Sequence, residues 1–141
     1  MTDDEARALG ERWVKAGGGY GQGWLVQEVA YGTTARLVWK DADHWHAATA
    51  AGAFFAWLRI RHEHMTDRLP DLRDPATRGA ALEVVRERWA RPIFLMPDDA
   101  LCRSWGAYTP GVEPEQVAEG DSEAAALVAA LEACAPDYIT G

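Results

Sequence analysis

The most apolar stretch of the chain spans residues 44–64, HWHAATAAGAFFAWLRIRHEH. Within it, only Thr49 and Gly52 interrupt an apolar run over residues 47–58, which is too short, and too charged where it ends, to cross a membrane. At 3.6 residues per turn, the bulky side chains of this run fall on one side of a helix and the small ones on the other. The pattern therefore predicts a central helix with neighbours on both sides. The positions on its bulky side, expected in the core, are Ala47, Ala51, Phe54, Phe55, Trp57 and Leu58.

Other helices are predicted from amphipathic spacing and from residues that cap helix N-termini. Thr2 and Glu5 have the spacing of a capping box before a first helix, which the glycines after residue 16 end. Asp74 is followed by a proline at the first helical position, and Ser122 precedes the final helix. A short helix is expected over residues 100–105.

The strands are predicted from alternating and β-branched segments bounded by turn residues. WLVQEVAY (residues 24–31) and ARLVWK (residues 35–40) form a hairpin across a short turn, and IFLM (residues 93–96) is a short strand between two prolines. Residues 65–75 and 106–120, which contain several prolines and glycines, are expected to be surface loops. The sequence thus predicts one α+β domain. In it, a small antiparallel or mixed sheet of about three strands packs against four or five helices.

The net charge of −8 is unevenly distributed along the chain. Residues 1–97 hold 13 acidic and 13 basic side chains, whereas residues 98–141 hold nine acids and one base, Arg103. An acidic potential of this kind repels nucleic acid and anionic membranes, and it attracts basic proteins or cations. The charge therefore predicts a protein partner with a basic surface, and no nucleic-acid or membrane partner.

The cysteines and the N-terminus bear on the compartment. Cys102 and Cys134 fit no metal-ligand or disulfide framework, and the first 13 residues lack the basic and apolar regions of a signal peptide. A cytoplasmic protein is therefore expected.

The four histidines have a composition typical of metal sites but not the spacing. They occur as His44 and His46 and as His62 and His64, and Thr66 occupies the position at which H-E-x-x-H would need its second histidine. On one helix these two pairs lie more than four turns apart and do not meet. We therefore predict solvated histidines at the two ends of the central helix.

Two pairs of aspartates follow predicted strands. Asp41 and Asp43 follow ARLVWK, and Asp98 and Asp99 follow IFLM. If the two strands are neighbours, the four carboxylates could converge and bind a divalent cation. Helix capping explains each pair without a metal, and this is the favoured interpretation.

Cys102 is the best candidate for a nucleophile. It is expected early in a short helix beside the cation of Arg103, and a histidine could approach it in space. Neither Ser104 nor Ser122 lies in a G-x-S-x-G motif. A buried, unreactive cysteine is the favoured interpretation.

Seven tryptophans are a large number for 141 residues. Core packing on predicted helices and strands accounts for Trp13, Trp39, Trp57 and Trp89. Trp45 and Trp105 are not assigned to the core, and either could line a pocket or an interface.

Three functional classes are consistent with these patterns. The favoured one is a small acidic protein that binds another protein, as an inhibitor or immunity factor that masks a basic partner. The second is an enzyme or metal-binding domain that uses the aspartate pairs or Cys102. The third is a ligand-binding module with a tryptophan-lined pocket. No cofactor is implied. The residues expected to bind the partner are Trp105, Glu113, Glu115, Glu119, Asp121 and Glu123.

Overall fold

Two antiparallel sheets organise the chain, one of five strands and one of three. The computed structural model describes the backbone of residues 1–51 and 54–140 and the side chains of residues 1–49 and 56–134. The strands are β1 (Leu25–Glu28), β2 (Thr34–Lys40), β3 (His44–Ala51), β4 (Phe54–Arg61), β5 (Arg68–Pro70), β6 (Phe94–Pro97), β7 (Trp105–Thr109) and β8 (Glu115–Gly120). The described helices are α1 (Asp3–Lys15), α2 (Pro75–Trp89), α3 (Glu123–Thr140) and a 3-10 helix (His62–Asp67).

The strand order is β4-β3-β2-β1-β5 in the large sheet and β6-β7-β8 in the small sheet. The α+β class is confirmed, as are the hairpin of β1 and β2 and the short strand β6. The predicted sheet of about three strands is wrong, because the described residues form eight strands in two sheets.

The predicted central helix is wrong, because residues 44–51 and 54–61 form two antiparallel strands, β3 and β4, which pair as a hairpin. Trp45 and Ala47 are buried on one face of β3, and the intervening His46 lies on the other face. At this end of the segment, polar and apolar residues alternate with a period of two, which indicates a strand. The alanines that follow are compatible with a strand or with a helix. The side chains of Phe54 and Phe55, which we expected in the core, lie outside the described residues.

The three longer helices begin where their capping residues predicted. Thr2 Oγ1 accepts a hydrogen bond from the Glu5 amide at 3.1 Å, and Ser122 Oγ accepts one from the Ala125 amide at 3.1 Å. Asp74 accepts from the Thr77 amide at 3.0 Å at the start of α2. These contacts satisfy amide groups that have no partner within the helix.

Three segments between the helices differ from the prediction. Residues 100–105 form a turn and the start of β7, not a helix. The expected loop over residues 106–120 contains most of β7 and all of β8. The prolines at 110 and 114 lie in the short connection between these two strands. Residues 65–75 contain the end of the 3-10 helix and all of β5, and Leu69 and Leu72 within them are buried.

The core lies between the helices and one face of each sheet. Trp13 of α1 packs against Trp24, with ring centroids 5.8 Å apart, above the buried Val26 and Leu37 of the large sheet. Helix α3 covers the inner face of the small sheet with a buried stripe that includes Leu131. None of the helices in the described part of the chain combines the length and the apolarity needed to span a bilayer.

Candidate functional site

The outer face of the small sheet, on the side opposite α3, displays a group of exposed and half-exposed side chains. Residues that are paired across antiparallel strands share a face, and residues next to each other along a strand do not. Phe94 is paired with Tyr108, Tyr108 with Gln116, Met96 with Gly106 and Gly106 with Glu119. We call this surface the acidic face. Asp98, which directly follows β6, belongs to it as well. The members of the acidic face are Phe94, Met96, Asp98, Tyr108, Gln116 and Glu119.

Aromatic and thioether side chains form the centre of the acidic face. The rings of Phe94 and Tyr108 are stacked with centroids 5.7 Å apart and an interplanar angle of 25°. The Tyr108 ring lies over Gly106, where an added Cβ would come within 2.5 Å of it. Met96, next to this pair, is 39% exposed. The sheet therefore presents an apolar surface to solvent, as protein-binding surfaces commonly do.

Asp98 is held at the edge of this apolar centre by three side chains. The Tyr108 hydroxyl donates a hydrogen bond to Oδ1, and Ser104 Oγ and Gln116 Nε2 each lie 3.4 Å from Oδ2. The hydrogen bond to Asp98 raises the pKa of Tyr108, and the charges of Asp98 and Glu119 raise it further. The carboxylate is thus fixed in place on the acidic face.

Four of the acids expected to bind the partner are exposed around the small sheet. Glu115 and Glu119 belong to β8, Glu113 lies in the loop before it, and Asp121 follows it. The fifth, Glu123, is in the first turn of α3 and forms an ion pair of 3.6 Å with Arg78.

Trp105 does not lie with the members of the acidic face. It is half-buried at the start of β7, on the same side of the strand as the buried Ala107 and so opposite Tyr108. The apolar side chains beside the acids are instead Phe94, Met96 and Tyr108. They were missed because residues 93–96 were expected to be a buried or edge strand and residue 108 part of a loop.

A second polar cluster lies where β2 turns into β3. Asp41 Oδ2 is 2.7 Å from His46 Nε2, and the Asp41 carbonyl oxygen is 2.9 Å from His62 Nε2. His44 pairs with Arg61, the residue before His62. The prediction that the two histidine pairs do not meet is therefore wrong, because a hairpin brings together the ends that a helix keeps apart.

The possible ligand atoms in this cluster are close enough together to hold a metal ion. The hydrogen bonds of Asp41 explain the same arrangement without one. Ligand atoms of Asp41, Asp43 and His44 all lie within 4.8 Å of one another. Asp41 Oδ1 accepts from the amides of Asp43 and His44, each at 2.8 Å, and Oδ2 bonds to His46. The hydrogen bond from His46 lowers the pKa of Asp41 most, followed by those two amides. The carboxylate thus serves as the acceptor that shapes the turn.

The proposed convergence of all four aspartates depends on neighbouring strands, and this condition is not met. Asp41 and Asp43 follow β2 in the large sheet, whereas Asp98 and Asp99 follow β6 in the small sheet.

The prediction that Cys102 lies in a helix is also wrong. Cys102 is exposed in the turn of residues 98–104, has a φ of 55°, and donates its amide to the Asp99 carbonyl.

The tryptophans are distributed differently from the prediction. Trp45 is buried in the core, whereas Trp39 is 49% and Trp57 64% exposed on the outer face of the large sheet. The Trp39 ring stacks on His46 with centroids 3.7 Å apart. Three clefts in the described part of the chain have volumes of about 270, 290 and 190 Å³, and no tryptophan lines any of them.

The chain matches no protein-family model, and comparisons with curated proteins and with solved structures find no match.

Proposed function

We propose that the protein binds a partner protein with a basic surface through the acidic face, and that it acts as an inhibitor or immunity factor by masking that surface. The observation that carries the proposal is the half-buried stack of Phe94 and Tyr108 beside the exposed Met96, bordered by the fixed carboxylate of Asp98. Aromatic and methionine side chains are enriched at the centres of protein interfaces, and polar side chains form their rims. The acidic face has this arrangement.

The charge distribution supports a basic partner. All of the net charge of −8 comes from residues 98–141. Four exposed acids of that segment surround the small sheet, so the field is strongest on this side of the molecule. Complementary charge speeds the encounter of two proteins, and the apolar centre then slows their separation. The two groups of side chains thus have different kinetic roles.

The proposal is tested by capturing a partner from a lysate of the source cell and measuring its binding kinetics. In the acid variant, Glu113, Glu115 and Glu119 are replaced by glutamine. At low salt we expect its association rate to fall by about tenfold, and to fall less at physiological salt, where charges are screened over about 8 Å. The control replaces three exposed acids elsewhere, as Glu11→Gln, Asp67→Asn and Glu87→Gln.

The apolar centre is tested with the double variant Phe94→Ala, Met96→Ala. Its dissociation rate is expected to rise by about tenfold or more, while its association rate changes little. If the double variant and the acid variant both bind the captured partner with wild-type kinetics, the partner does not use the acidic face and the proposal is wrong. If the association rate falls equally in the acid variant and in its control, the three acids act only through the net charge of the protein and not through their position around the small sheet.

A further inference from the structure

A cleft of about 270 Å³ lies where the two edges of the large sheet approach each other. Strands β4 and β5 are the opposite edges of this sheet, yet residues of both line the cleft. The 3-10 helix connects the two strands directly and contacts both. The sheet therefore curls, and the cleft has a volume near the lower end of the range for ligand-binding sites. Its lining residues are Glu28, Arg59, Ile60, His64, Asp67 and Arg68.

Charged side chains of both signs line this cleft. Arg59 and Arg68 contribute guanidinium groups, Glu28 and Asp67 contribute carboxylates, and His64 adds an imidazole ring. Among the described residues, none of these side chains makes a hydrogen bond or an ion pair within 4.0 Å. Glu28 and Arg68 are directly opposite each other on β1 and β5, where opposite charges usually attract. The charged groups of the cleft are thus available to a ligand.

Arg68 has a buried donor that lacks an acceptor. Its Nη1 is buried and has no hydrogen-bond partner within the described part of the chain. A buried donor that is left unpaired costs free energy, and native proteins usually satisfy it with a water molecule or a ligand. Guanidinium groups bind carboxylates through two parallel hydrogen bonds. A carboxylate in the cleft would supply the acceptor for Arg68, and Arg59 would add a second cation.

The backbone that carries these side chains is held in place by β1 and by the segment before it. The Tyr20 hydroxyl lies 2.8 Å from the Met65 carbonyl oxygen and 2.7 Å from that of Arg68. The Val29 amide donates to the Asp67 carbonyl at 2.9 Å. A site on a fixed backbone is preorganised, so less conformational freedom is lost when a ligand binds.

We propose that the cleft binds a small zwitterion of the amino-acid class, which carries both a carboxylate and an ammonium group. The two arginines bind the carboxylate, and Glu28 and Asp67 bind the ammonium group. A simple anion would lie beside two carboxylates, and a simple cation beside two guanidinium groups, so each fits the mixed charge less well. The cleft belongs to the large sheet, so this site is separate from the acidic face and independent of the function proposed above.

The test begins with NMR titrations of the protein with each of the common free amino acids. They are carried out at pH 7 and constant ionic strength, up to about 20 mM, so that a weak ligand is also detected. We expect at least one amino acid to cause saturable shifts of amide signals at the cleft. The amino acid that binds most tightly is then compared with the carboxylic acid that lacks its ammonium group and with the amine that lacks its carboxylate. Each is expected to bind weaker by about tenfold or more.

Two substitutions distinguish the two halves of the site. Arg59→Gln removes a partner of the carboxylate, so it is expected to weaken the binding of the amino acid by about tenfold and to weaken the carboxylic acid as well. Glu28→Gln removes a partner of the ammonium group, so it is expected to weaken only the amino acid. Arg91→Gln is the matched control, because Arg91 is exposed just after α2 and does not line the cleft. Circular dichroism checks that each variant is folded.

Three results would overturn the proposal. If no amino acid causes a saturable shift, the cleft is not a zwitterion site and water satisfies Arg68. If the carboxylic acid binds as tightly as the amino acid, the cleft recognises an anion alone. If Arg91→Gln weakens binding as much as Arg59→Gln, binding depends on the net charge of the protein and not on the cleft.

Discussion

Asp74 shows how one residue joins local and distant structure. Its carboxylate caps α2 by accepting from the Thr77 amide, and it also accepts two hydrogen bonds from Arg36, at 3.0 and 3.1 Å. The hydrogen bond from Arg36 is the largest cause that lowers the pKa of Asp74, to about 2. The cap could be predicted from the sequence, because the groups concerned are three residues apart. The contact with Arg36 could not, because it depends on where β2 lies relative to α2.

Replacing Asp74 with asparagine is expected to destabilise the protein at neutral pH by about 1 to 2 kcal/mol, after allowance for the partial exposure of Arg36. Asparagine is still able to cap the helix, so the loss reports mainly the charge. The folded-state pKa of about 2 lies below the usual value of about 3.9, so this stability is present above about pH 4 and is lost as pH falls towards 2.

The measurement is urea unfolding of the wild type and Asp74→Asn at several pH values between 7 and 3. The difference between their free energies of unfolding should shrink as the pH is lowered. Asp4→Asn is the control, because that side chain is 94% exposed. A difference that stays constant across this range would mean that the carboxylate charge does not contribute through Arg36.

Among the elements, helices were easier to predict than strands. Caps and amphipathic spacing are local, and α1, α2 and α3 all begin after the expected residues. The hairpin of β3 and β4 was mistaken for a helix because its central residues are mostly alanine, which packs in either structure. The signal that distinguishes the two is the alternation at its ends, in HWHA and LRIR, where polar or charged residues occupy every second position.

The acidic face could be predicted only in part, for a related reason. Of its two acids, Glu119 was among the residues expected to bind the partner, whereas Asp98 was expected to cap a helix. Its aromatic centre depends on the pairing of β6, β7 and β8, and these short strands are separated by prolines and glycines that are also typical of a loop. Which residues share a face follows from register, and register is set by pairing between strands.

The observed hairpin of β3 and β4 and the expected central helix predict different losses of stability when Leu58 is replaced by alanine. Leu37 on β2 is fully buried, whereas Leu58 on β4 is half-buried near the edge of the sheet. Leu37→Ala is therefore expected to cost about 2 to 5 kcal/mol of stability by leaving a cavity, and Leu58→Ala about 1 kcal/mol or less. Denaturant melts of both variants measure this difference. If Leu58→Ala lowered the free energy of unfolding as much as Leu37→Ala, the result would favour the central helix, because Leu58 belongs to the core in that structure.

At the scale of the whole molecule, the fold turns an uneven charge along the chain into an uneven charge in space. Residues 98–140 include strands β7 and β8 of the small sheet and the helix behind it, so most of the acids of this segment surround one part of the surface. Some are compensated by arginines from the first part of the chain: Glu132 forms an ion pair with Arg12, and Glu123 forms one with Arg78. Glu113, Glu115 and Glu119 have no ion pair within 4.0 Å among the described residues.

Repulsion among these three acids should make the folded protein less stable than it would be without them. Replacing all three with glutamine is expected to raise the melting temperature by a few degrees at low salt, because like charges held close together destabilise a compact state. The gain should diminish as added salt screens the charges. Glu123→Gln is the control and should give no gain, because it removes one partner of the ion pair with Arg78. The measurement is the melting temperature of the three proteins at several salt concentrations. An acid variant that melts at the wild-type temperature at low salt would show that the three carboxylates are too far apart to repel one another in the folded protein.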